Sequence, residues 1–447
     1  MGWRLRGLAT PLARALYSAA LWLAQPLLRR KLQRRGRQEP GYLAHVPERF
    51  GHYIGPAQPG AVWVHAVSLG ETRAAALLVA RLRADHPGLP LLLTHSTATG
   101  RAEGAKLLAP GDQQVWLPWD TPGAVRRFLA HFQPSVGVLV ETEVWPNLVH
   151  ACQQRAVPLL LVNARLNAAS ARQAQRLSWL ARPAYQGLTA VYAQTHADAE
   201  RLVQLGAPVR GVLGNLKFDV PHRPGPWAKG RALKAALGDR PVAMWASSRE
   251  GEEAAWLASP WREVAPAGQR PLWLVVPRHP QRFDAVADLL RTQGLRVWRR
   301  SAWGEGGAVD AGAAVALPDE ALQADVWLGD SLGEMPLYYG LADLTLLGGS
   351  FEPLGGQNLI EAVACDCPVV MGPHTFNFAD AAEQAQACGA AVRVANVSAG
   401  MAQVQAWLAN PAALGLARDR GYAWLKQGRG AAARYAQVVL QARTDRA

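Results

Sequence analysis

Short, continuously apolar runs alternate along the chain with longer stretches whose apolar positions recur every three or four residues. The runs are Ala61–Val67 (AVWVHAV), Leu89–Thr94, Val136–Val140 (VGVLV), Pro158–Val162 and Ala190–Ala193. A second series follows: Val242–Ala246, Leu272–Val276 (LWLVV), Leu295–Trp298, Val326–Leu328, Leu344–Leu347 and Pro368–Met371. Runs without polar alternation predict strands buried on both faces. Amphipathic helices are predicted between them, for example over Thr72–Asp85, Ala124–His131 and Asp198–Leu205. Strand–helix alternation of this kind predicts parallel sheets covered on both sides. A Pro/Gly/Lys stretch, Val220–Gly230, separates the two series. The predicted fold class is α/β, with two doubly wound domains and a cleft between them. Ligands are then expected at the carboxyl ends of the strands.

The N-terminal segment departs from this pattern. Between Arg14 and Arg29 lies the charge-free stretch ALYSAALWLAQPLL, and RRKLQRRGR follows at once. A straight spanning helix needs about 20 apolar residues; Leu8 to Leu28 reaches that length if Arg14 snorkels. The basic cluster after the apolar run argues against a signal peptide. Three readings stand: a single anchor with its C-terminal flank in the cytoplasm, a helix lying in the interface of an anionic bilayer, or a helix packed on the body. The one-signed charge favours the first two. Of the net charge of +13, eight lies in the first forty residues, where nine Lys and Arg face one acid, Glu39. The remainder is a mildly basic globular body, so nucleic acid is not an expected partner. Half of the 447 residues are hydrophobic and 18% are charged, which excludes a disordered chain. Four scattered Cys (Cys152, Cys365, Cys367, Cys388) without CxxC spacing suit a reducing compartment and exclude a disulfide framework.

Several strand ends carry chemistry. After Ala61–Val67 comes Ser68-Leu69-Gly70-Glu71, where Glu71 is either a general base or a first-turn carboxylate favouring the helix dipole. Thr94–Gly100 (THSTATG) is either a phosphate or sugar cradle or a helix cap. Val136–Val140 ends in Glu141-Thr142-Glu143-Val144-Trp145-Pro146-Asn147; alternation along an extended segment places Glu141 and Glu143 on one side. Two close carboxylates raise one pKa, which suits acid–base chemistry. Asn163-Ala164-Arg165-Leu166 and Gly214-Asn215-Leu216-Lys217-Phe218-Asp219 follow later strands. Lys217 either neutralises a phosphate or is a solvated surface residue. In the second series, Pro277-Arg278-His279-Pro280 offers Arg278 to a phosphate or carboxylate. Gly329–Met335 (GDSLGEM), Gly348-Gly349-Ser350 and Gly355-Gly356-Gln357-Asn358 frame loops into helices, where backbone can approach an anion. Glu361 stands in the first turn of the helix predicted over Leu359–Ala364, placed to accept from ribose hydroxyls. No GxGxxG heads the first βαβ unit, which lowers a nicotinamide reading, and no P-loop, HExxH, EF-hand or GxSxG string is present.

Taken together, SLGE (Ser68–Glu71), TATG (Thr97–Gly100), ETEVWPN (Glu141–Asn147), NARL (Asn163–Leu166), GNLKFD (Gly214–Asp219), PRHPQRF (Pro277–Phe283), GDSLGEM (Gly329–Met335) and GGS…GGQNLIEA (Gly348–Ala362) resemble the 3-deoxy-D-manno-octulosonic acid (Kdo) transferases, in family order. The resemblance implies a B-type glycosyltransferase fold of two Rossmann-like domains. It implies an N-terminal membrane anchor and basic arm over 1–40, an acceptor-binding domain over 41–222, a CMP-sugar-binding domain over 223–420 and a C-terminal helix over 421–447 packing back towards the first domain. It implies CMP-Kdo as donor, the tetraacylated lipid A precursor lipid IVA as acceptor, inversion of configuration, no metal and no cofactor, and work at the cytoplasmic side of the inner membrane. By motif position Glu71 corresponds to the general base, and Glu141 and Lys217 to groups that stabilise the transition state. Pro277, Arg278, Gly333, Glu334, Met335, Asn358, Leu359, Ile360 and Glu361 correspond to the CMP contacts. Gln357 stands where the family usually has His, Ile360 replaces a more usual residue, and Ser248-Arg249 replaces a common Thr-His. Two competing readings are a B-type transferase using a UDP-sugar on a membrane lipid and a non-catalytic nucleotide sensor at the membrane. The paired Glu141 and Glu143 beside an independent candidate base argue against the sensor.

Overall fold

Each series of apolar runs forms its own parallel sheet. The computed structural model describes residues 2–220, 224–265, 269–303 and 317–444. It divides into one unit made of Met1–Asp219 with Gly428–Ala447, and a second made of Val220–Gln427. The first holds β1 (Val62–His65), β2 (Leu91–His95), β3 (Gln113–Trp116), β4 (Val136–Val140), β5 (Leu159–Ala164), β6 (Ala190–Ala193) and β7 (Val209–Val212). Their order is β3-β2-β1-β4-β5-β6-β7. The second holds β8 (Val242–Ser248), β9 (Leu272–Pro277), β10 (Val297–Arg299), β11 (Val326–Leu328), β12 (Leu344–Leu347), β13 (Val369–Met371) and β14 (Ala391–Arg393), ordered β10-β11-β9-β8-β12-β13-β14.

The continuous apolar runs are explained by what lies on each sheet face. Along β1 and β4, Val62, Val64, Val136, Val138 and Val140 join one core with Leu78, Leu82, Tyr435 and Val439. The intervening Trp63 and Leu139 join the opposite core with Phe128, Leu148 and Leu161. Every strand residue of β1 and β4 is therefore buried. Each such side chain contributes about 1.5–3 kcal/mol. The helix Ala431–Thr444, last among the described residues, belongs to the first unit and closes one of these faces through Tyr435, Ala436 and Val439.

Three strands escape the sequence pattern: β3, β7 and β14. All three are edge strands. Their sequences, QQVW, VRGV and AVR, lack a fully apolar run and are only part-buried. The expected linker also differs. From Pro224 it is a helix, Pro224–Ala236, packed on the helix Met335–Leu341 of the second unit; residues 221–223 lie outside the described residues. Glycine permits this crossing: a Cβ on Gly230 would strike the Leu337 carbonyl oxygen, and one on Gly340 the Trp227 carbonyl oxygen.

The N-terminal segment is one helix, Gly2–Gln38, and among the described residues no helix is long and apolar enough to cross a membrane. It is docked on the first unit. Ser18 Oγ donates to Asn147 Oδ1 (3.1 Å), and the Arg29 guanidinium lies 4.5 Å from the Phe50 ring centre. Leu16, Trp22, Leu23 and Leu27 nonetheless remain exposed.

Candidate active site

In the first sheet the strand order reverses between β1 and β4, the place where open α/β sheets bind ligands at their carboxyl edge. Glu71 follows β1 and Glu141 follows β4. Ser68 caps the helix Leu69–Asp85, its Oγ accepting from Glu71 N–H (3.4 Å). The Glu71 carboxylate turns back to accept from Val67 N–H (2.8 Å) and from the Ser68 hydroxyl (3.3 Å). The first-turn carboxylate reading of Glu71 is met, by a reciprocal cap that holds the carboxylate at the strand end. Burial pushes the Glu71 carboxyl up to about 7, against the Val67 hydrogen bond, and the charges of Glu141 and Glu143 add to the rise.

Glu141 and Glu143 do not lie on an extended segment as alternation suggested. Glu141 sits in a turn with φ 67°, and Asn163, on neighbouring β5, has φ 49°. Left-handed backbone at non-glycine residues costs about 1–3 kcal/mol, and it clusters where side chains must be aimed. Here it buries the Glu141 side chain against Lys217, whose Nζ lies 3.1 Å from Oε1. Asn163 Oδ1 accepts from Leu216 N–H (3.0 Å), fixing the Leu216–Asp219 turn that carries Lys217. Lys217 is therefore half of an ion pair rather than a solvated surface residue. Asp219 accepts from the N–H groups of Gly430 and Ala432, and Tyr435 Oη donates to the Gly214 carbonyl (2.8 Å). The C-terminal helix thus clamps both ends of the GNLKFD segment. Burial pushes the Glu143 carboxyl up as well.

The hydroxyl-rich loop after β2 resolves as a cap: Thr97 Oγ1 accepts from Gly100 N–H (3.1 Å) and donates to Val67 O (2.8 Å). This bonds it to the residue that also holds Glu71. His65 and His95 behind it are neutral packing groups, pushed by burial to about 3 and about 4. One positioning residue was not visible in the sequence. Asp120, a lone acid in a Trp-Asp-Thr-Pro loop, is buried and accepts from Asn147 N–H (2.9 Å) and Leu148 N–H (2.8 Å). It anchors the start of the helix that ends the ETEVWPN segment.

In the second sheet the candidate residues sit on loops after β8, β9, β11 and β12. Arg278 follows β9; its N–H donates to Ser248 O (3.0 Å) and its Nε to Gln357 Oε1 (3.2 Å). Gln357, a departure from the family string, thereby orients the guanidinium. Glu252, fully buried, accepts from Arg249, Gly349 and Phe351 N–H groups, and so ties the loop after β8 to the loop after β12. Arg282 joins buried Glu253 at 2.7 Å. Gly348 must be glycine, since a Cβ would collide with the Ser247 carbonyl.

Pro277 is buried, and the side chains of Leu359 and Ile360 are core residues, so a ligand meets these only through backbone. Asn358 caps their helix by accepting from Ile360 N–H (3.1 Å) and donates to Glu361 Oε1 (3.1 Å). After β11, Gly333 is exposed with φ 81°. Glu334 is held by Ser331 and by Arg300 (2.8 Å), and Met335 begins the following helix. His279 remains a loop histidine, part-exposed beside Arg249 and Arg278. Among the described residues no group of three or more His, Cys, Asp or Glu is gathered as a metal ligand set.

The first unit thus offers a carboxylate that titrates near neutrality beside a carboxylate–ammonium pair, suited to taking a proton from a hydroxyl. The second offers an oriented guanidinium at a strand end, suited to a phosphate.

A family model described as 3-Deoxy-D-manno-octulosonic-acid transferase (kdotransferase) matches residues 44–220. The chain is 46% identical over 434 residues to a 3-deoxy-D-manno-octulosonic acid transferase of Bordetella pertussis, covering 95% of this chain and 98% of that one. It is 34% identical over 370 residues to the transferase of that description in Haemophilus influenzae, covering 82% and 83%. Among solved structures, a glycosyltransferase from Rickettsia africae superposes over 86% of this chain and 99% of its own with TM-score 0.54 at 11% identity, a likeness of fold. Two parallel seven-stranded sheets are the B-type glycosyltransferase architecture. The chain belongs to the 3-deoxy-D-manno-octulosonic acid transferase family and is a glycosyltransferase.

Proposed function

We propose that the protein transfers Kdo from CMP-Kdo to a hydroxyl of the acylated lipid A precursor, lipid IVA, with inversion of configuration and no metal. Glu71 takes the hydroxyl proton as the oxygen attacks the anomeric carbon. The bond to the CMP phosphate breaks, and the phosphate leaves with the electron pair. Lys217, held against Glu141, offsets negative charge on the reacting sugar acid. On the second unit, Arg278 and the loops bearing Gly333–Met335 and Asn358–Glu361 hold the nucleotide, so that departing phosphate charge meets a fixed cation. The observation that carries this reading is Glu71: a capped carboxylate raised to about 7 at the switch point of the first sheet.

The N-terminal helix supports a place for this reaction at a membrane surface. Exposed Leu16, Trp22, Leu23 and Leu27 run into Arg29, Arg30, Arg34 and Arg37. A helix of that make-up lies in the interface of an anionic bilayer, here on the cytoplasmic side of the inner membrane, where acyl chains stay in lipid. Mass spectrometry of the lipid after incubation of the full chain with a CMP-Kdo supply and lipid IVA is the test. Gain of one or more Kdo masses is expected, with no gain for Glu71→Ala even though CMP still binds. No added Kdo, or UDP outcompeting CMP for the protein, overturns the reading.

A further inference from the structure

A cavity of about 300 Å³ lies inside the first unit beneath the N-terminal helix. The helix contributes Tyr17, Leu21, Leu28 and Leu32, and the body contributes Trp119 and Trp145 among its apolar walls. The exposed Leu12, Leu16, Leu23 and Leu27 each precede one of those four helix residues by five positions. Five residues are about 140° of helical rotation. The helix is therefore apolar on two separate faces: one turned outward, one roofing the cavity. A helix serving only as packing has no use for the outward face, and one serving only as a surface anchor has no use for a cavity.

The cavity carries three cations, Lys31, Arg35 and Arg49, against one acid, Asp120, whose carboxylate is already taken by the Asn147 and Leu148 amides. Arg49 is 4% exposed, with its guanidinium 3.9 Å from the Trp116 ring centre. It donates to Ser96 O (3.3 Å), while its Nε has no hydrogen-bond partner among the described residues. Its sequence neighbour Glu48 is engaged by Arg101 at 2.9 Å. A buried guanidinium with an unused N–H calls for an anion. Arg35 stands over the Tyr42 ring, which stacks in turn on Trp116, so both guanidinium groups converge on one aromatic cluster.

We propose that this cavity holds one acyl chain of an anionic lipid, with the lipid phosphate against Arg35 and Arg49. The inference rests on the lipid-surface part of the proposed function and on neither its donor nor its acceptor. Its volume is at the bottom of the range of about 300–1,000 Å³ for ligand sites, room for one chain and not for several. Occupancy reaches the active-site loops, because Trp145 follows Glu143 in the ETEVWPN segment and Ser96 adjoins Thr97, which is bonded to Val67.

Native mass spectrometry of the full chain in nonionic detergent tests it, with lysophosphatidylglycerol, lysophosphatidylcholine and inorganic phosphate as probes. One lysophosphatidylglycerol per chain is expected, bound at least tenfold more tightly than lysophosphatidylcholine and not displaced by inorganic phosphate. Leu28→Trp, which fills the cavity, and Arg35→Glu should each weaken it at least tenfold. Leu23→Trp on the outward face should leave it unchanged. Leu21→Phe is the milder filler, expected to act in the same direction should Leu28→Trp fail a urea-midpoint check of folding. Equal binding of the two lysolipids, displacement by phosphate alone, or undiminished binding in a folded filler variant overturns the proposal. Binding read in this way stands apart from transfer: lipid held without Kdo transfer sinks the proposed reaction and leaves the cavity assignment intact.

Discussion

Replacing Glu71 by Gln separates a catalytic base from a helix cap. Gln keeps the length of the side chain and an oxygen that can accept from Val67 N–H, and removes only the titratable charge. The Glu71 carboxyl moves from 4.5 in a free chain to about 7 when folded, chiefly through burial. One pKa unit is worth about 1.4 kcal/mol, so ionised Glu71 disfavours the folded state by about 3 kcal/mol at most, less for the part of the side chain that still meets water. The folded chain keeps its proton where the unfolded chain has lost it. Stability attributable to this group therefore falls as pH rises from about 4.5 through about 7. Glu71→Gln is expected to match the parent within about 1 kcal/mol at pH 5 and to exceed it by about 2 kcal/mol at pH 8, read from urea denaturation. The same variant should lose about 10³-fold in kcat/KM for Kdo transfer. In the parent, kcat/KM should rise about tenfold per pH unit up to about 7 and then level off. Retained turnover in Glu71→Gln, or a stability difference equal at pH 5 and pH 8, refutes the assignment.

Lys217→Met should leave the buried Glu141 carboxylate without its cation and destabilise the chain by about 1–3 kcal/mol in thermal melts. Adding Glu141→Gln should recover most of that stability and none of the lost transfer. Gln357→Ala should raise KM for CMP-Kdo about fivefold with kcat changed less than about twofold, because Arg278 Nε loses one hydrogen bond; an unchanged KM in steady-state kinetics would show that Gln357 does not orient Arg278. Gly230→Ala should cost about 1–3 kcal/mol, since its methyl meets the Leu337 carbonyl, and differential scanning calorimetry should show a lowered transition.

The central strands were legible because doubly buried strands cannot hide their apolar continuity. The edge strands β3, β7 and β14 were not, since one side faces solvent and residues such as Gln113 and Arg210 are tolerated there. The stretch from Pro224 read as a linker because Pro and Gly mark turns more often than they mark a helix start and a close helix crossing. Glu71, Glu141 and Lys217 were visible as charges at strand ends. Their arrangement was not, because it depends on the left-handed turn at Glu141 and on Asn163 reaching across to Leu216. Asp120 was hidden for a different reason: an acid in a polar loop carries no sign that helix amides from a later segment will converge on it.

The helix Ala431–Thr444 also orders events during synthesis. Its Tyr435 and Val439 share a core with Val62 and Val64, and Gly430 and Ala432 hold the turn that carries Lys217. All of Val220–Gln427 must leave the ribosome before these residues arrive. Until then the face that Leu78 and Leu82 cover lacks Tyr435 and Val439, and Asp219 lacks the two amides that hold its end of the Lys217 turn. Ending the chain ahead of Gly428 is therefore expected to leave the first core incomplete even though every strand of its sheet is present.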